Sequence, residues 1–108
     1  MVSVSMTSEA RVQFSELPRV IALRVEKLLT RLSRWPDVSG VKHLRGKLAG
    51  QCRLRTGDYR LQFHVDEKKK IIQEKQTIQG KAVIVKREIT DYVVMVEKIA
   101  HRDGFYED

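Results

Sequence analysis

The stretch Lys42–Arg60, KHLRGKLAGQCRLRTGDYR, is the segment from which the architecture of this chain can best be inferred. Apolar residues alternate with arginines up to a Thr-Gly-Asp turn, and an alternating pattern resumes after it. Side chains two residues apart in a strand point to the same face. The pattern predicts two antiparallel strands, 52–56 and 59–66, joined by a short turn. One face of this pair is apolar, and the other carries Arg53, Arg55 and Arg60.

The residues before this stretch predict one strand and two helices. Residues 2–6 alternate apolar and polar, as in a strand. Thr7 or Ser8 can cap a helix that runs to about Leu17, and Pro18 suits the first turn of a second helix that Pro36 ends. The second helix has one apolar stripe, formed by Ile21, Val25, Leu28, Leu32 and Trp35.

The residues after it predict strands only. Segments 70–78 and 81–89 flank Gln79-Gly80 and predict a second hairpin, and residues 92–100 are apolar enough for a central strand covered on both faces. The expected fold is an α+β domain over residues 1–108, in which two N-terminal helices pack on one face of an antiparallel sheet of four to six strands.

Composition narrows the class of protein. With 42% hydrophobic and 32% charged residues the chain is expected to be soluble and globular, and it has no apolar run of the ~20 residues that a membrane span needs. Residues 1–5 lack the pattern of a secretory signal, so a cytoplasmic location is expected, with no membrane partner. Cys52 is the single cysteine, and no spacing of His, Asp and Glu resembles a metal site, so neither metal nor cofactor is expected.

The charge of the chain favours an anionic partner. The formal net charge is +7, and six of the basic residues lie between positions 42 and 60. Arginine holds phosphate through planar, bidentate hydrogen bonds and a permanent charge. A solvated sheet face is the alternative interpretation of the three arginines, and a charged hairpin tip is the alternative for the lysines at 68–70. The candidate residues for binding nucleic acid are Lys42, Arg45, Lys47, Lys68, Lys69 and Lys70.

The segment His101–Tyr106 follows the last predicted strand directly. His, Arg and Tyr side chains can together transfer protons near neutral pH, stabilise a negatively charged transition state and stack on a base. The alternative is a frayed tail with an incidental histidine.

These features together resemble the RelE-type toxins of bacterial toxin–antitoxin systems, within the RelE/ParE superfamily. The resemblance is carried by Leu44–Gly46, by Arg53–Leu61, and by Val96–Arg102 with Tyr106 following. It spans roughly residues 7–106. It implies a metal-independent endoribonuclease that cuts mRNA on the ribosome and is inhibited by a cognate antitoxin.

The resemblance also implies roles for individual residues. Arg53 and Arg55 occupy positions where such toxins have basic residues that contact RNA and assist proton transfer. Arg60 and Arg102 would neutralise the pentavalent phosphate, which the RNA's own 2′-hydroxyl forms by attack. His101 or Tyr106 would donate a proton to the leaving oxygen or stack on a base. The implied catalytic set is therefore Arg53, Arg55, Arg60, His101, Arg102 and Tyr106.

Two departures from the family pattern are visible in the sequence. Arginine stays protonated at neutral pH and is a poor general base, which leaves His101 as the side chain with a suitable ordinary pKa. Residues 69–88 form an extra hairpin between strands that most relatives join directly. Two other functions remain open: a ParE-like inhibitor of gyrase, and a nucleic-acid-binding module without activity.

Overall fold

A computed structural model describes residues 1–105 as three helices and a five-stranded sheet. The strands are β1 (Val2–Met6), β2 (Lys42–His43), β3 (Cys52–Thr56), β4 (Tyr59–Ile78) and β5 (Lys81–His101). The helices are α1 (Ser8–Ser15), α2 (Arg19–Leu32) and α3 (Arg102–Phe105), and a 3₁₀ turn spans Gly46–Leu48.

The sheet has the order β1-β5-β4-β3-β2. Strands β2 to β5 pair antiparallel, whereas β1 runs parallel to β5, with Val2 opposite Tyr92 and Met6 opposite Val96. The predicted α+β class is confirmed, but the expectation of a purely antiparallel sheet is wrong for this pair. The meander β3-β4-β5 leaves the outer edge of β5 free, and the N-terminal strand fills part of it.

The two N-terminal helices begin where the sequence predicts. Thr7 caps α1, because its side-chain oxygen accepts a hydrogen bond from the Ala10 N–H at 3.1 Å. Pro18 precedes the first residue of α2, a place where its missing N–H costs nothing. Helix α1 ends at Ser15 and α2 at Leu32, each slightly earlier than expected.

Helices α1 and α2 cover one face of the sheet and form the core with it. Phe63 lies at its centre, fully buried, and the Trp35 ring packs edge-on against it with ring centroids 5.7 Å apart. The buried residues are Ala10, Val25, Leu28, Leu32, Cys52, Leu54, Leu61, Phe63, Val94, Val96 and Ile99. The side chains of β3 and β4 therefore alternate between the two faces as predicted, with the apolar ones towards the helices.

The most visible difference from the sequence prediction is the length of β4 and β5. Instead of two successive hairpins, they form one ladder that runs unbroken from Phe63–Val96 to Ile78–Lys81, and the described residues extend 65 Å in the longest direction. The turn is Gln79-Gly80, where both residues have positive φ (52° and 74°), as a type I′ hairpin turn requires. Lysines 68–70 lie in the middle of β4, so their interpretation as a hairpin tip is wrong.

One irregularity interrupts the ladder. Gln62 pairs with Lys98 and Phe63 pairs with Val96, so Glu97 is an extra residue in β5. Helix α1 satisfies the backbone groups near this bulge: the Thr7 hydroxyl donates to the Glu97 carbonyl at 3.3 Å, and the Ile99 N–H donates to the Gln13 side-chain oxygen at 2.7 Å. The bulge reverses the alternation of β5, since Val94 and Val96 precede it on the helix side and Ile99 follows it there.

Candidate nucleic-acid interface

Basic side chains from four strands share the sheet face opposite the helices. Residues directly opposite each other in neighbouring strands point to the same side of the sheet. The register gives a row of Lys42, Arg53, Gln62 and Lys98, and beside it a row of Arg55, Arg60 and Ala100. Neither row contains a carboxylate. We call Lys42, Arg53, Arg55, Arg60 and Lys98 the basic face.

A cleft of about 310 Å³ opens at the β2–β3 end of the basic face. Gly40, Lys42, Arg53 and Arg55 line it, and both Lys42 and Arg55 are exposed. A pocket with several fixed positive charges suits phosphate oxygens, since each guanidinium can bind two of them at once.

The turn between β3 and β4 organises the other two arginines. Gly57 alone has positive φ there, 57°, which fits the first position of a type II′ turn. The Arg60 guanidinium donates to the carbonyls of Gly57 (3.0 Å) and Tyr59 (3.2 Å). The Arg102 N–H donates to the Asp58 carbonyl at 2.7 Å. Arg60 and the start of α3 are therefore both held at the same end of the sheet.

The Arg102 side chain lies between two carboxylates. Its Nε is 3.9 Å from the Asp58 carboxylate and 3.7 Å from that of Asp103, and all three side chains are more than half exposed. At such distances and exposure these are weak, screened ion pairs. They leave the guanidinium able to exchange its carboxylate neighbours for a phosphate.

His101 takes the other side of the sheet. It pairs with Tyr59, which follows the helix-side alternation, and the two rings meet edge-on with centroids 5.3 Å apart. Its Nδ1 accepts a hydrogen bond from the Asp103 N–H at 3.2 Å. The imidazole therefore stands at the end of the sheet that carries Arg60 and Arg102, but it does not share the basic face with Arg53 and Arg55.

Comparison with solved structures gives a clear similarity. A chain of the RelBE2 toxin–antitoxin complex from Mycobacterium tuberculosis matches with a TM-score of 0.62 and 27% sequence identity, over 93% of this chain and 96% of that chain. The chain resembles a RelE-type toxin. No protein-family model and no curated protein matches the sequence.

The RelE-type resemblance assigned six catalytic positions. The structure brings Arg53, Arg55 and Arg60 to one face and ties Arg102 to the turn that holds Arg60. His101 lies at the same end but on the other face, and Tyr106 lies outside the described residues.

The six candidate RNA-binding residues separate into two groups. Lys42 belongs to the basic face, and Arg45 and Lys47 are exposed in and beside the 3₁₀ turn that leads into β3. The lysines at 68–70 begin eight residues beyond Arg60 along β4, roughly 26 Å at about 3.3 Å per residue. Lys69 approaches Glu67 and Glu88, and Lys70 approaches Asp91, each at 3.9 Å.

Two basic residues near the site are not predicted from the sequence. Lys98 joins the basic face only because the bulge at Glu97 reverses the alternation of β5. Arg24 reaches the Gly57 turn, where its Nη1 lies 3.7 Å from the position of a Cβ on residue 57. The sequence does indicate the position of Arg24. It stands three residues after Ile21, and side chains three apart are neighbours on a helix, so Arg24 borders the apolar stripe of α2.

A histidine–carboxylate pair lies further along the same face. His64 Nδ1 is 3.0 Å from the Glu97 carboxylate, and its Nε2 is 3.8 Å from that of Asp66. His64 shares the alternation of Arg60, as its position in the sequence indicates, but is four residues away, roughly 13 Å at about 3.3 Å per residue. One phosphate therefore cannot contact both side chains.

The only cysteine is a poor candidate nucleophile. Cys52 is buried beneath the helices, and burial raises the pKa of its thiol above the ordinary value. Its Sγ lies 3.4 Å from Nδ1 of His43. A thiol kept neutral in the core contributes packing rather than nucleophilic reactivity.

Residues 1–105 contain no cluster of metal ligands: no three of their His, Cys, Asp or Glu side chains lie close enough together to hold a metal ion. Among the same residues, no helix has the length and apolar character to cross a membrane.

Proposed function

We propose that this protein is the toxin of a toxin–antitoxin system and an endoribonuclease that cleaves mRNA on the ribosome. The observation that carries the proposal is the 2.7 Å hydrogen bond from the Arg102 N–H to the Asp58 carbonyl. It fixes Arg102 at the turn whose carbonyls also hold the guanidinium of Arg60. Two guanidiniums at one end of a rigid sheet suit a phosphodiester that gains negative charge as it reacts.

The proposed reaction needs only the RNA, the protein and water. The 2′-oxygen attacks the adjacent phosphorus while its proton passes to a solvent water, and the bond from phosphorus to the 5′-oxygen breaks. The products are a cyclic phosphate, which a further water can open to a 3′-phosphate, and a 5′-hydroxyl that has gained a proton. Arg60 and Arg102 stabilise the pentavalent phosphate, and His101 donates the proton to the 5′-oxygen.

Binding of the substrate strand is assigned to the basic face. Lys42, Arg53 and Arg55 line the cleft and would hold the phosphates flanking the cut, which places the scissile bond with little orientational freedom. The same positive charge would draw the protein to the RNA-rich decoding site. A cognate antitoxin is the second partner that we propose, since the similar structure comes from a toxin–antitoxin complex.

The decisive test is cleavage of mRNA on programmed ribosomes by Arg60→Ala and Arg102→Ala. We expect each variant to lose at least about 100-fold in cleavage rate, the usual effect of removing one transition-state donor. The matched control is Lys75→Ala, an exposed side chain on β4 far from the turn. Because Arg60 also bonds the turn, Arg60→Lys and circular dichroism separate loss of folding from loss of chemistry. Cleavage at the control rate in both alanine variants would disprove the proposal.

The role of His101 has its own test. His101→Gln keeps a polar side chain of similar size but cannot donate a proton as an imidazolium does. We expect its cleavage rate to fall at least about tenfold at neutral pH. An unchanged rate and an unchanged pH profile would remove His101 from the mechanism.

One observation favours a second candidate, a toxin that acts by binding gyrase. The imidazole of His101 packs against Tyr59 on the helix side, so it does not share the face of the arginines. The two functions separate cleanly. Inhibition of DNA supercoiling by gyrase, with no cleavage of mRNA on ribosomes, would establish this alternative.

A further inference from the structure

The outer half of β4 and β5 has two edges without a neighbouring strand among the described residues. Strand β3 pairs with β4 only as far as Phe63, and β1 pairs with β5 only from Tyr92 onward. Beyond these points β4 and β5 pair only with each other, through residues 68–78 and 81–91. We call these two segments the bare hairpin.

The turn determines which backbone groups point outward from the bare hairpin. A two-residue type I′ turn is closed by a hydrogen-bonded pair, here Ile78 and Lys81. Hydrogen-bonded and non-hydrogen-bonded pairs then alternate along the ladder. The N–H and C=O groups on the open edge of β5 therefore belong to Ala82, Ile84, Lys86 and Glu88.

The two edges differ in how well they are protected. Edge strands usually carry charged residues, above all lysine, which discourage pairing with another chain. The edge of β4 has such protection in the lysines at 68–70 and 75. The edge of β5 has none between Ala82 and Val85, where four uncharged residues follow one another and Ile84 is 61% exposed. This edge is open to a partner strand.

We propose that the open edge of β5 pairs antiparallel with the same edge of a second copy of this chain, about a two-fold axis at Val85. A symmetric contact of this kind uses one patch twice and closes at a dimer. Strand β1 occupies the edge from Tyr92 onward, so the pairing covers residues 81–89 of each copy. The two basic faces then lie on the same side of one continuous sheet.

The charges along the edge select this register. Centred on Val85, the pairing places Ile84 opposite Lys86, Val83 opposite Arg87, Ala82 opposite Glu88 and Lys81 opposite Ile89. No like charges face each other. A pairing centred on Ile84 would instead place Lys81 of one copy opposite Arg87 of the other. A pairing centred on Lys86 would place the Lys86 residues of the two copies opposite each other. Like charges directly opposite each other destabilise a strand pair.

The alternation of hydrogen bonds gives the distance at the axis. Val85 directs its N–H and C=O groups towards β4, so the two Val85 residues would form a non-hydrogen-bonded pair, with Cα atoms about 4.5 Å apart. That separation lies within the range that a disulfide can bridge, about 4.4–6.8 Å.

The first experiment is therefore a cysteine substitution on the axis. We expect Val85→Cys to form a covalent dimer on mild oxidation, measured on non-reducing gels. The wild type should not, because its Cys52 is buried. The matched control is Val83→Cys, whose two copies would be offset by four residues, roughly 13 Å at about 3.3 Å per residue. Equal cross-linking of both variants, or none at position 85, would overturn the proposal.

The second experiment measures mass in solution. The purified chain, of 12.6 kDa, should sediment with twice that mass at micromolar concentrations. Val85→Lys should make it a monomer, because two ammonium groups would meet at the axis, whereas Gln76→Lys, on the same face of β4, should leave the dimer intact. A monomeric wild type, or a dimer indifferent to Val85→Lys, would refute the proposal. Circular dichroism of each variant shows that its fold is retained.

Discussion

The same two strands, β4 and β5, pass through two regions of the molecule, one covered by helices and one not. In the inner half they lie under α1 and α2, and Phe63, Val94 and Val96 are fully buried. In the bare hairpin the pairing continues without a break, yet Ile71 is 72% exposed. Continuous backbone pairing therefore does not imply a continuous core.

The sequence explains the difference. In the inner half, one face of β3, β4 and β5 is uniformly apolar, and it is buried because the helices pack against it. In the bare hairpin each face mixes apolar and charged side chains. Ile72 and Val85 share one face with Glu74, while Ile71 and Ile84 share the other with Lys75. Neither face offers a helix a dry surface. A two-stranded ribbon is only marginally stable in water, so the outer half depends on its attachment to the inner one.

The largest expected effect comes from truncating the centre of the covered half. Phe63→Ala should lower the free energy of unfolding by about 3–5 kcal/mol, because it removes buried apolar area and leaves a cavity beside Trp35. Ile71→Ala in the bare hairpin should change it by less than about 0.5 kcal/mol. Urea titrations followed by circular dichroism measure both values. Similar losses in the two variants would mean that the outer half is also packed.

A smaller effect is expected where α1 supports the bulge. Gln13→Leu should lower the free energy of unfolding by about 1–3 kcal/mol, because the Ile99 N–H would lose its hydrogen bond in a nearly dry site. The control is Gln73→Leu, at an exposed position of the bare hairpin, for which no loss is expected. A Gln13→Leu variant as stable as the wild type would show that water reaches the bulge.

The smallest effect concerns the thiol under the helices. Burial raises the pKa of Cys52 above its ordinary value of 9.0, so the folded state disfavours the thiolate. The free energy of unfolding should therefore fall as pH rises above about 9, and Cys52→Ala should remove that part of the decrease. At pH 8 a thiol reagent should modify Cys52 slowly but should rapidly modify Thr77→Cys in the bare hairpin, made in the Cys52→Ala background. Equal rates at the two positions would contradict the assigned burial.

Local patterns were sufficient to predict much of the fold and part of the site. The stripe in α2, the caps at Thr7 and Pro18 and the alternation around Arg53 and Arg55 each depend on neighbours in sequence, and the structure confirms them. The parallel pairing of β1 with β5 depends on residues about ninety positions apart, which no local pattern encodes. The run of charges at 66–70 is typical of a turn, so the sequence predicts a break where the structure has one continuous ladder.

The face on which His101 lies is harder to predict from the sequence. Its face depends on how many residues of β5 lie opposite Gln62 and Phe63, and that number is a property of the pair of strands. The sequence did contain a sign of it. The inward apolar positions of β5 are spaced by two from Val94 to Val96 and by three from Val96 to Ile99. A change of spacing within a strand is what a bulge produces.

The extra residue at Glu97 also limits how this protein can change. A one-codon deletion of Glu97 would remove the bulge but leave the later pairs as they are, with Lys98 opposite Gln62 and His101 opposite Tyr59. To turn His101 towards the arginines, the end of β5 would have to slip by one residue against β4. That slip would rotate Lys98 into the apolar layer and Ile99 out of it, since every later side chain in a strand changes face together. A descendant that gained a histidine among its guanidiniums by this route would lose part of its core, so substitution at another position is the more accessible path.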